Sequence, residues 1–315
     1  ITNFKHQSSL LLTLSNFCKF YNLSLESIYR YDKYTWNKLL YEAEIIQQIN
    51  DINQMEIQRA IYRKWFQCNS FVYLNYILQL AKNNFLIHGN ESPEEVLMLN
   101  MLYYDLWQEP NSRFNSLKEA IEKIGENQDL VVEIIEVLQM LINRIGHIEY
   151  VAELNFTLPL RVHSRYTKDQ ILAALGESNL TKKSSNREGV LNIPHLNAEL
   201  LFVTLEKSED HYSPTTMYND YAMSDVIFHW QSQNSAREDR GRGLAYTQQR
   251  LNGQNILLFV RETNKNQYKT TNSFVFLGKV NYIDHYGSKP MSINWKLERS
   301  IPAYLWKDTV KMAVG

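Results

Sequence analysis

The residues best suited to recognise a planar ligand are concentrated in one stretch, SPTTMYNDYAMSDVIFHWQSQN, at residues 213–234. Aromatic faces stack on a nucleobase, a carboxylate accepts hydrogen bonds from an exocyclic amine, and an amide offers a paired donor and acceptor. The run VIFHW beside several amides predicts a strand that leaves the core and enters a polar site. The residues that carry these chemistries are Tyr218, Asp220, Tyr221, His229, Trp230, Gln231 and Gln233.

A structural role also explains this stretch, because a core strand followed by a polar turn has the same composition. Tyr218 and Tyr221 could face one core together, and Asp220 could cap a turn. A histidine on an apolar strand is often a core residue whose ring nitrogens are hydrogen-bonded inside the protein. Strand alternation places Trp230 and His229 on opposite faces, so we expect that they do not both line one pocket.

The run SAREDRGRG at residues 235–243 is the best candidate for contacts to phosphate. It predicts a flexible, glycine-containing loop between strands, and such a loop could enter a groove or become ordered on DNA. An ordinary solvated hairpin tip explains the run too, since Glu238 and Asp239 lie in its middle. The candidate residues in this run are Arg237, Arg240 and Arg242. Secondary candidates are Lys182, Lys183, Arg187, His285 and Lys289.

Residues 1–155 predict an all-helical domain, because the apolar residues recur at a spacing of three to four almost throughout. Leu10, Leu11 and Leu14 fall on one stripe and predict a buried helix face. Capping signals at Ser92 and Ser116 mark two helix starts. We find no chemistry in this part of the chain. Its many aromatic residues could line a groove, and core packing explains them as well.

Residues 156–315 predict a small β-barrel with a few helices. A capping box at Thr167 starts one helix, and Gly176 ends it. Short strand-like runs follow at residues 200–205, 226–231, 245–250, 256–261, 274–283 and 293–297, and Asn252-Gly253 is a hairpin signal. Few helices between strands favour a closed or nearly closed barrel over a parallel sheet. The predicted fold class is therefore α+β, with an all-α domain followed by the barrel.

Composition places the chain among globular proteins able to bury a sizeable core. It has 315 residues, of which 44% are hydrophobic and 21% are charged. No apolar run approaches a membrane span, and two cysteines give no disulfide framework, so we expect a cytoplasmic protein. The chain begins ITNFK without an initiator Met, and we interpret it as a fragment of a longer protein.

Charge is divided unevenly between the two halves. Residues 1–150 carry 13 Lys and Arg against 18 Asp and Glu, and residues 151–315 carry 20 against 16. The second half therefore has a net charge of +4. This balance permits a phosphate-binding surface, although an even distribution of solvated charge would give the same count.

Several runs together resemble a known family. They are FHWQSQN, SRYTKDQILAALG, REGV, LLFVTLEKSE, ILLFVRE, FVFLGKVNYIDHYGSKPM and WKLERSIP, which cover about residues 150–305. They resemble the C-terminal domain of bacterial DEAD/DEAH-type helicases with a phospholipase-D-like nuclease. Within that group they resemble the SauUSI-like, ATP-dependent type IV restriction enzymes, which attack DNA carrying 5-methylcytosine. The resemblance implies that residues 156–315 are a modified-base reader, similar to the barrels of SRA and PUA-like domains, without saying which residues read the base.

A reader of 5-methylcytosine must draw the base out of the stack, accept hydrogen bonds from its amine and hold its methyl group. Aromatic residues would sandwich the base, Asp220 would accept from the amine, and small residues would shape the methyl niche. The predicted base pocket is Thr215, Thr216, Tyr218, Asp220, Tyr221 and Trp230, with Ala222 as another candidate for the niche. The predicted contacts to base edges or duplex are His229, Gln231, Ser232 and Gln233.

The resemblance also implies partners. These are double-stranded DNA containing 5-methylcytosine, with 5-hydroxymethylcytosine left open, and helicase and nuclease domains of the same chain, which residues 1–155 would couple to the reader. A homodimer is left open, and no membrane is expected. We expect no catalytic residue, no metal ligand and no cofactor in this fragment, since ATP and Mg²⁺ belong to the helicase and nuclease parts. The sequence contains no GxxxxGK[ST] loop and no zinc-deaminase spacing.

Two other functions stay open. One is a structural or oligomerising coupling module that binds DNA without sequence preference. The other is an enzyme that acts on an extruded base, and scattered carboxylates could also hide a metal-dependent nuclease.

Overall fold

The computed structural model describes residues 1–29, 34–110, 113–205, 220–266 and 270–305. It is a mixed α+β structure with a helical N-terminal region and a C-terminal region that is mostly sheet. The chain divides into two compact units. The first unit is Ile1–Gly146, Thr157–Leu160 and Tyr166–Ser184. The second unit is His147–Phe156, Arg161–Arg165 and Ser185–Gly315.

The first unit is built from helices. They are α1 (Thr2–Gln7), α2 (Leu14–Phe20), α3 (Leu25–Tyr29), α4 (Trp36–Glu42), α5 (Gln54–Arg63), α6 (Phe71–Lys82), α7 (Pro93–Leu106), α8 (Leu117–Glu122), α9 (Gln128–Ile142) and α10 (Lys168–Ala174). The predicted starts are confirmed, since Ser92 and Thr167 form capping boxes and the Ser116 side chain accepts from the Glu119 N–H. The prediction for Leu10 and Leu11 is wrong, because α2 begins only at Leu14 and both side chains are exposed.

A buried carboxylate joins α7 to its neighbours inside the first unit. Asp105 Oδ2 accepts hydrogen bonds from Trp65 Nε1 (2.9 Å), Tyr73 Oη (2.7 Å) and Gln170 Nε2 (3.1 Å). Asp105 is fully buried, and Oδ1 has no hydrogen-bond partner among the described residues. Burial raises the pKa of the Asp105 carboxyl to about 6, against the opposing effects of Lys64 and the three hydrogen bonds.

We expect Asp105→Asn to remove a pH dependence of stability. The pKa of the folded state lies above the ordinary 3.8, so the native state binds more protons between these values and Asp105 lowers stability as the pH rises from about 4 to about 6. The Asn oxygen can accept the same three donors. The stability difference between wild type and variant should change by about 3 kcal/mol across this window. Urea unfolding from about pH 4 to pH 7 measures it, with exposed Asp51→Asn as control. If the free energies of unfolding of wild type and Asp105→Asn changed in parallel with pH, the raised pKa of the Asp105 carboxyl would be contradicted.

The described strands lie in the second unit, except for Tyr166 of β3, which belongs to the first unit. They are β1 (Tyr150–Val151), β2 (Arg161–Val162), β3 (Arg165–Tyr166), β4 (Val190–Ile193), β5 (Ala198–Thr204), β6 (Tyr221–Ala222), β7 (Ile227–Gln231), β8 (Asn255–Arg261), β9 (Phe274–Tyr286) and β10 (Ser292–Leu297). Helices α11 (Gly241–Thr247) and α12 (Gln249–Asn252) lie between β7 and β8. Strands predicted at residues 200–205, 226–231, 256–261, 274–283 and 293–297 are confirmed within a few residues.

The main sheet has the strand order β4-β5-β8-β9-β10-β7-β6, with β3 paired to β9 outside this path. Neighbours along the path are antiparallel except β5 and β8, which are parallel from Ala198 opposite Asn255 to Thr204 opposite Arg261. All of β5 and nearly all of β8 are buried. Continuous apolar runs of this kind are typical of parallel strands covered on both faces.

The predicted closed barrel is not found among the described residues, where β4 and β6 lie at opposite ends of the strand order. Part of the error lies at residues 245–250, which were predicted as a strand and instead form the end of α11, the residue that caps it and the start of α12. Gly253 has φ +60° and follows the last turn of α12. Asn-Gly therefore ends a helix here, where a glycine in the left-handed region is common, and does not form a hairpin.

Candidate nucleic-acid interface

The segment that follows β7 is fixed to the turn between β9 and β10. The Ser232 N–H donates to the Met291 carbonyl, and the Met291 N–H donates to Ser232 Oγ, both at 2.8 Å. The Lys289 N–H donates to the Ala236 carbonyl at 3.1 Å. Ser232 is fully buried. These bonds bring together two segments that lie far apart in sequence, so Ser232 is a structural residue and is not placed to contact a base edge.

The three arginines predicted for phosphate contacts lie together beside this junction. Arg237 pairs with both carboxylate oxygens of Asp239, at 2.9 and 3.0 Å. Arg240 is exposed and precedes the first residue of α11, and Arg242 lies in the first turn of that helix. The expected flexible loop between strands is therefore corrected to a hydrogen-bonded turn that leads into a helix.

A cleft of about 570 Å³ opens among these arginines, and we call it the arginine cleft. Its lining combines guanidinium groups with an amide, a carboxylate and a phenol ring. Gln233 Nε2 donates to Glu188 Oε2 at 3.0 Å, and Arg242 Nη1 donates to Gln233 Oε1 at 3.4 Å. The lining residues are Glu188, Gln233, Ser235, Ala236, Arg237, Arg240, Gly241, Arg242 and Tyr246.

Gly243 allows α11 to pack directly against the turn at residues 237–240, which we call the arginine turn. A Cβ atom at this position would lie 2.0 Å from the Arg237 carbonyl oxygen and 2.6 Å from the sulfur of Met291. Neither distance is compatible with van der Waals contact, and the nearer atom belongs to the backbone. Gly243 therefore determines how close the helix comes to the turn, and with it the shape of the cleft.

A buried carboxylate lies behind the lining of the cleft. Glu199, on β5, is 1% exposed. Tyr246 donates its hydroxyl to Glu199 Oε1, and Gln254 Nε2 donates to Oε2 at 3.5 Å. Arg242 Nε lies 3.7 Å from Oε1. Burial raises the pKa of the Glu199 carboxyl, and the hydroxyl and guanidinium partners oppose this shift.

The end of β9 adds His285 to the same region, and the turn between β9 and β10 adds Lys289. His285 Nε2 lies 3.2 Å from Glu238 Oε2, and its Nδ1 lies 2.6 Å from the Tyr282 hydroxyl. Lys289 is exposed, and its backbone bond to Ala236 holds it beside the arginine turn. The structure therefore brings together five of the predicted phosphate contacts, Arg237, Arg240, Arg242, His285 and Lys289.

A second group of predicted residues lies on the sheet face opposite the core. The rings of Tyr221 and Tyr286 lie 4.8 and 5.8 Å from the ring of His229, which is 2% exposed. His229 Nδ1 is 2.9 Å from Asn294 Oδ1. Asp220 Oδ1 accepts the Gln231 N–H at 2.8 Å. Asp220 therefore holds the start of β6 against the end of β7. The sequence left such a structural role open beside recognition of a base.

Trp230 packs in the core, where its ring centroid lies 5.5 Å from that of Tyr246 and 6.4 Å from that of Trp295. The predicted alternation of Trp230 and His229 on opposite faces is confirmed. Trp230 shares the buried face with Phe228, so it is not available here to sandwich a base. The predicted pocket residues Thr215, Thr216 and Tyr218 lie outside the described residues.

The remaining basic candidates are not part of the cleft lining. Within the first unit, Lys182 Nζ lies 3.4 Å from Glu177, and Lys183 Nζ contacts Glu109 at 2.5 Å and donates to the Gln108 carbonyl at 2.7 Å. Both lysines already have acidic partners. Arg187 is exposed in the second unit, next to Glu188 of the cleft.

Sequence reasoning missed Glu199, Tyr246 and Gly243. Glu199 was detectable in part, because it is a lone acidic residue in the apolar run AELLFVT, and a charge in a buried strand calls for an explanation. Tyr246 was hidden by the wrong strand assignment. Nothing in the sequence around Gly243 marks it as special. Its role is seen only in the folded structure, where the Arg237 carbonyl leaves no room for a side chain.

Across the described ranges, no group of three or more His, Cys, Asp or Glu side chains is arranged to hold a metal ion. No helix in that part of the chain is long and apolar enough to cross a membrane.

Residues 160–309 match the family model described as Domain of unknown function (DUF3427). The match includes the arginine cleft and is consistent with a helicase-associated C-terminal domain, and the family description states no function. No curated protein matches the chain.

Proposed function

We propose that the second unit binds double-stranded DNA through the arginine cleft and selects sites that contain 5-methylcytosine. In this proposal it is the target-recognition part of an ATP-dependent, modification-dependent endonuclease of the cytoplasm. The fragment itself catalyses no reaction and needs no cofactor, and helicase and nuclease domains of the same protein supply ATP hydrolysis and DNA cleavage.

The observation that supports DNA binding best is the convergence of cations around one cleft. Arg237 and Arg240 lie in one turn, Arg242 lies at the start of the helix that follows, and Lys289 is held beside the turn by its backbone bond to Ala236. Guanidinium groups bind phosphate in bidentate geometry, and phosphate contacts supply most of the affinity for a duplex. Asp239 already pairs with Arg237, so binding would exchange a carboxylate partner for a phosphate.

Selection of a modified base is supported by different observations. The resemblance of residues 150–305 to the readers of methylated DNA favours it, and the cleft has the volume typical of a small-molecule pocket. Gln233 lines the cleft and carries an amide able to contact a base edge. A base extruded between the phosphate-binding arginines would enter this space.

We expect Arg240→Ala to reduce the salt dependence of DNA binding. Each lost phosphate contact should lower the slope of log K against log salt by about one. Fluorescence anisotropy with a short duplex, over a salt series, measures the slope. Arg250→Ala is the matched control, since Arg250 is exposed in the same unit and outside the arginine cleft. Equal slopes for wild type and Arg240→Ala would remove Arg240 from the interface.

The selectivity is tested in the same assay by competition between duplexes that differ only in one 5-methylcytosine. A several-fold preference for the methylated duplex is the expected result. A chain that binds both equally would be a DNA-holding domain, and a chain that binds neither would have a coupling or assembly role.

A further inference from the structure

The first unit contains a cleft of about 680 Å³, which we call the acidic cleft. Its volume is typical of a small-ligand pocket. Four carboxylates and two cations line it, so the lining has a net charge of −2. The carboxylates are those of Glu56, Glu119, Glu122 and Glu126, and the cations are Arg113 and Lys123.

We propose that the acidic cleft binds a basic peptide segment. An arginine side chain of that segment pairs with the carboxylates, and a backbone carbonyl beside it accepts the indole N–H of Trp107. The site lies in the first unit and needs no DNA, so this inference goes beyond the proposed function.

Two of the carboxylates have no cationic partner among the described residues. Glu56, in the first turn of α5, has no hydrogen-bond or ion-pair partner there. Glu119 Oε2 accepts the N–H and the side-chain amide of Asn115, at 2.8 and 3.1 Å, and both donors are uncharged. Glu126, by contrast, lies 2.5 Å from Lys123 Nζ. A cationic ligand would therefore find two carboxylates that no described cation already neutralises.

An aromatic pair forms the apolar part of the lining. Trp107 directly follows α7, and its ring centroid lies 4.9 Å from that of Phe114, with 50° between the ring planes. A guanidinium stacks on aromatic faces, whereas an ammonium is a compact and strongly hydrated point charge. Aromatic rings beside carboxylates therefore favour an arginine side chain over a lysine.

The indole N–H of Trp107 is the second observation that points to a ligand. Trp107 lines the cleft and is only 7% exposed, and its Nε1 has no hydrogen-bond partner among the described residues. Buried indole N–H groups usually have an acceptor. Trp65 of the same unit shows the ordinary arrangement, since its Nε1 donates to Asp105 at 2.9 Å. An unpaired donor at the wall of the cleft calls for an acceptor that the ligand supplies.

This donor distinguishes a peptide from other cations. A protonated polyamine and a metal ion carry no hydrogen-bond acceptor, so neither satisfies the indole N–H. A peptide brings a carbonyl oxygen for the indole and a guanidinium for the carboxylates. Residues 1–150 also carry a net charge of −5, from 13 basic and 18 acidic residues, and this charge attracts a basic segment from a distance.

The test observes Trp107 directly in the whole chain. Labelling of tryptophan with ¹⁵N gives six indole N–H signals in the NMR spectrum, one for each tryptophan, and Trp107→Phe identifies the Trp107 signal by its loss. The probe is a synthetic peptide of three Arg-Gly repeats with blocked termini. We expect the Trp107 signal to shift saturably, with a Kd of about 1 mM or below. The signal of Trp65, whose N–H already donates to Asp105, should stay in place.

Two further probes separate charge from shape. The same peptide with citrulline in place of arginine keeps the carbonyl groups and loses the charge, so it should bind at least about 10-fold more weakly. Spermidine has about the same positive charge as the arginine peptide and no carbonyl, so it should leave the Trp107 signal in place. Equal affinity for the arginine and citrulline peptides, or a spermidine shift equal to that of the arginine peptide, would overturn the proposal.

A variant tests the carboxylates without disturbing the indole. Glu56→Gln keeps the size of the side chain and removes its charge, so it should weaken binding of the arginine peptide about threefold to tenfold. Glu42→Gln is the matched control, because Glu42 is exposed in the same unit and outside the acidic cleft, and it should keep the wild-type affinity. Thermal unfolding monitors the fold of both variants.

Two results would remove the acidic cleft as a peptide site. One is a wild-type Trp107 signal that does not move at arginine-peptide concentrations up to about 5 mM. The other is unchanged affinity in folded Glu56→Gln. Neither result bears on DNA binding by the second unit, which the duplex titrations test separately.

Discussion

Replacing Arg237, Arg240 and Arg242 together by Ala is expected to weaken binding of duplex DNA by about 100-fold to 1000-fold at 0.1 M salt. Each guanidinium that neutralises a phosphate releases counterions, and this gain is multiplied over three contacts. The loss should exceed that of any single substitution. It should also shrink as salt is raised, because counterion release then contributes less.

The triple variant also leaves Asp239 without the guanidinium that it contacts at 2.9 and 3.0 Å. The freed carboxylate would repel a phosphate, which increases the expected loss. A matched control removes the same charge elsewhere on the second unit, through Ala at the exposed residues Arg250, Lys265 and Lys296. Anisotropy titrations of both variants against one duplex give the comparison. An equal loss in both would mean that DNA responds to overall charge, and that the arginine cleft is not the interface.

Gly243→Ala is expected to cost about 3 kcal/mol or more in the free energy of unfolding and to abolish specific DNA binding. The new methyl group would lie 2.0 Å from the Arg237 carbonyl oxygen. Forcing atoms into a packed site typically costs about 1–3 kcal/mol, and more where backbone must move. Helix α11, with Arg242, would shift away from the turn that carries Arg237 and Arg240, so the cleft would lose its shape even in a chain that still folds.

Urea unfolding and a DNA titration test this prediction together. Gly253→Asn is the control, since Gly253 has φ +60° with no atom near a new Cβ, and Asn tolerates the left-handed region. It should change stability by less than about 1 kcal/mol. A Gly243→Ala chain with wild-type stability and wild-type affinity would show that the contact between α11 and the turn does not shape the interface.

Periodicity in the sequence predicted most individual elements correctly. Ser92 and Thr167 were recognisable as caps because capping depends on residues only three positions apart. The alternation of Trp230 and His229 was also local, and it correctly separated the core face of β7 from the opposite face. Strand identity failed at residues 245–250, where an Asn-Gly pair suits both a hairpin turn and a helix end.

The sequence predicts a closed barrel because few helices separate its strand-like runs, whereas β5 and β8 pair in parallel in the structure. Both strands contain unbroken apolar runs, LLFV and ILLFV, and such runs favour central strands covered on both faces. An alternating pattern, with one face toward solvent, would have suited an antiparallel strand better.

The candidate site was only partly predictable, because its geometry depends on contacts between distant segments. Ser232 and Met291 are 59 positions apart and hold the arginine turn against the β9–β10 turn. Nothing local in either segment specifies the other. The arginines were therefore predicted from composition, whereas the proximity of Lys289 to the turn and of Glu199 to Tyr246 required the folded structure.

The central claim is that the second unit selects 5-methylcytosine in a duplex that it holds by its phosphates. Titration of the chain against matched duplexes, with and without one 5-methylcytosine, at about 0.1 and 0.3 M salt tests this claim most directly. We predict that both affinities fall with salt while the preference for the methylated duplex persists. Equal affinity for the two duplexes at both salt concentrations would contradict it.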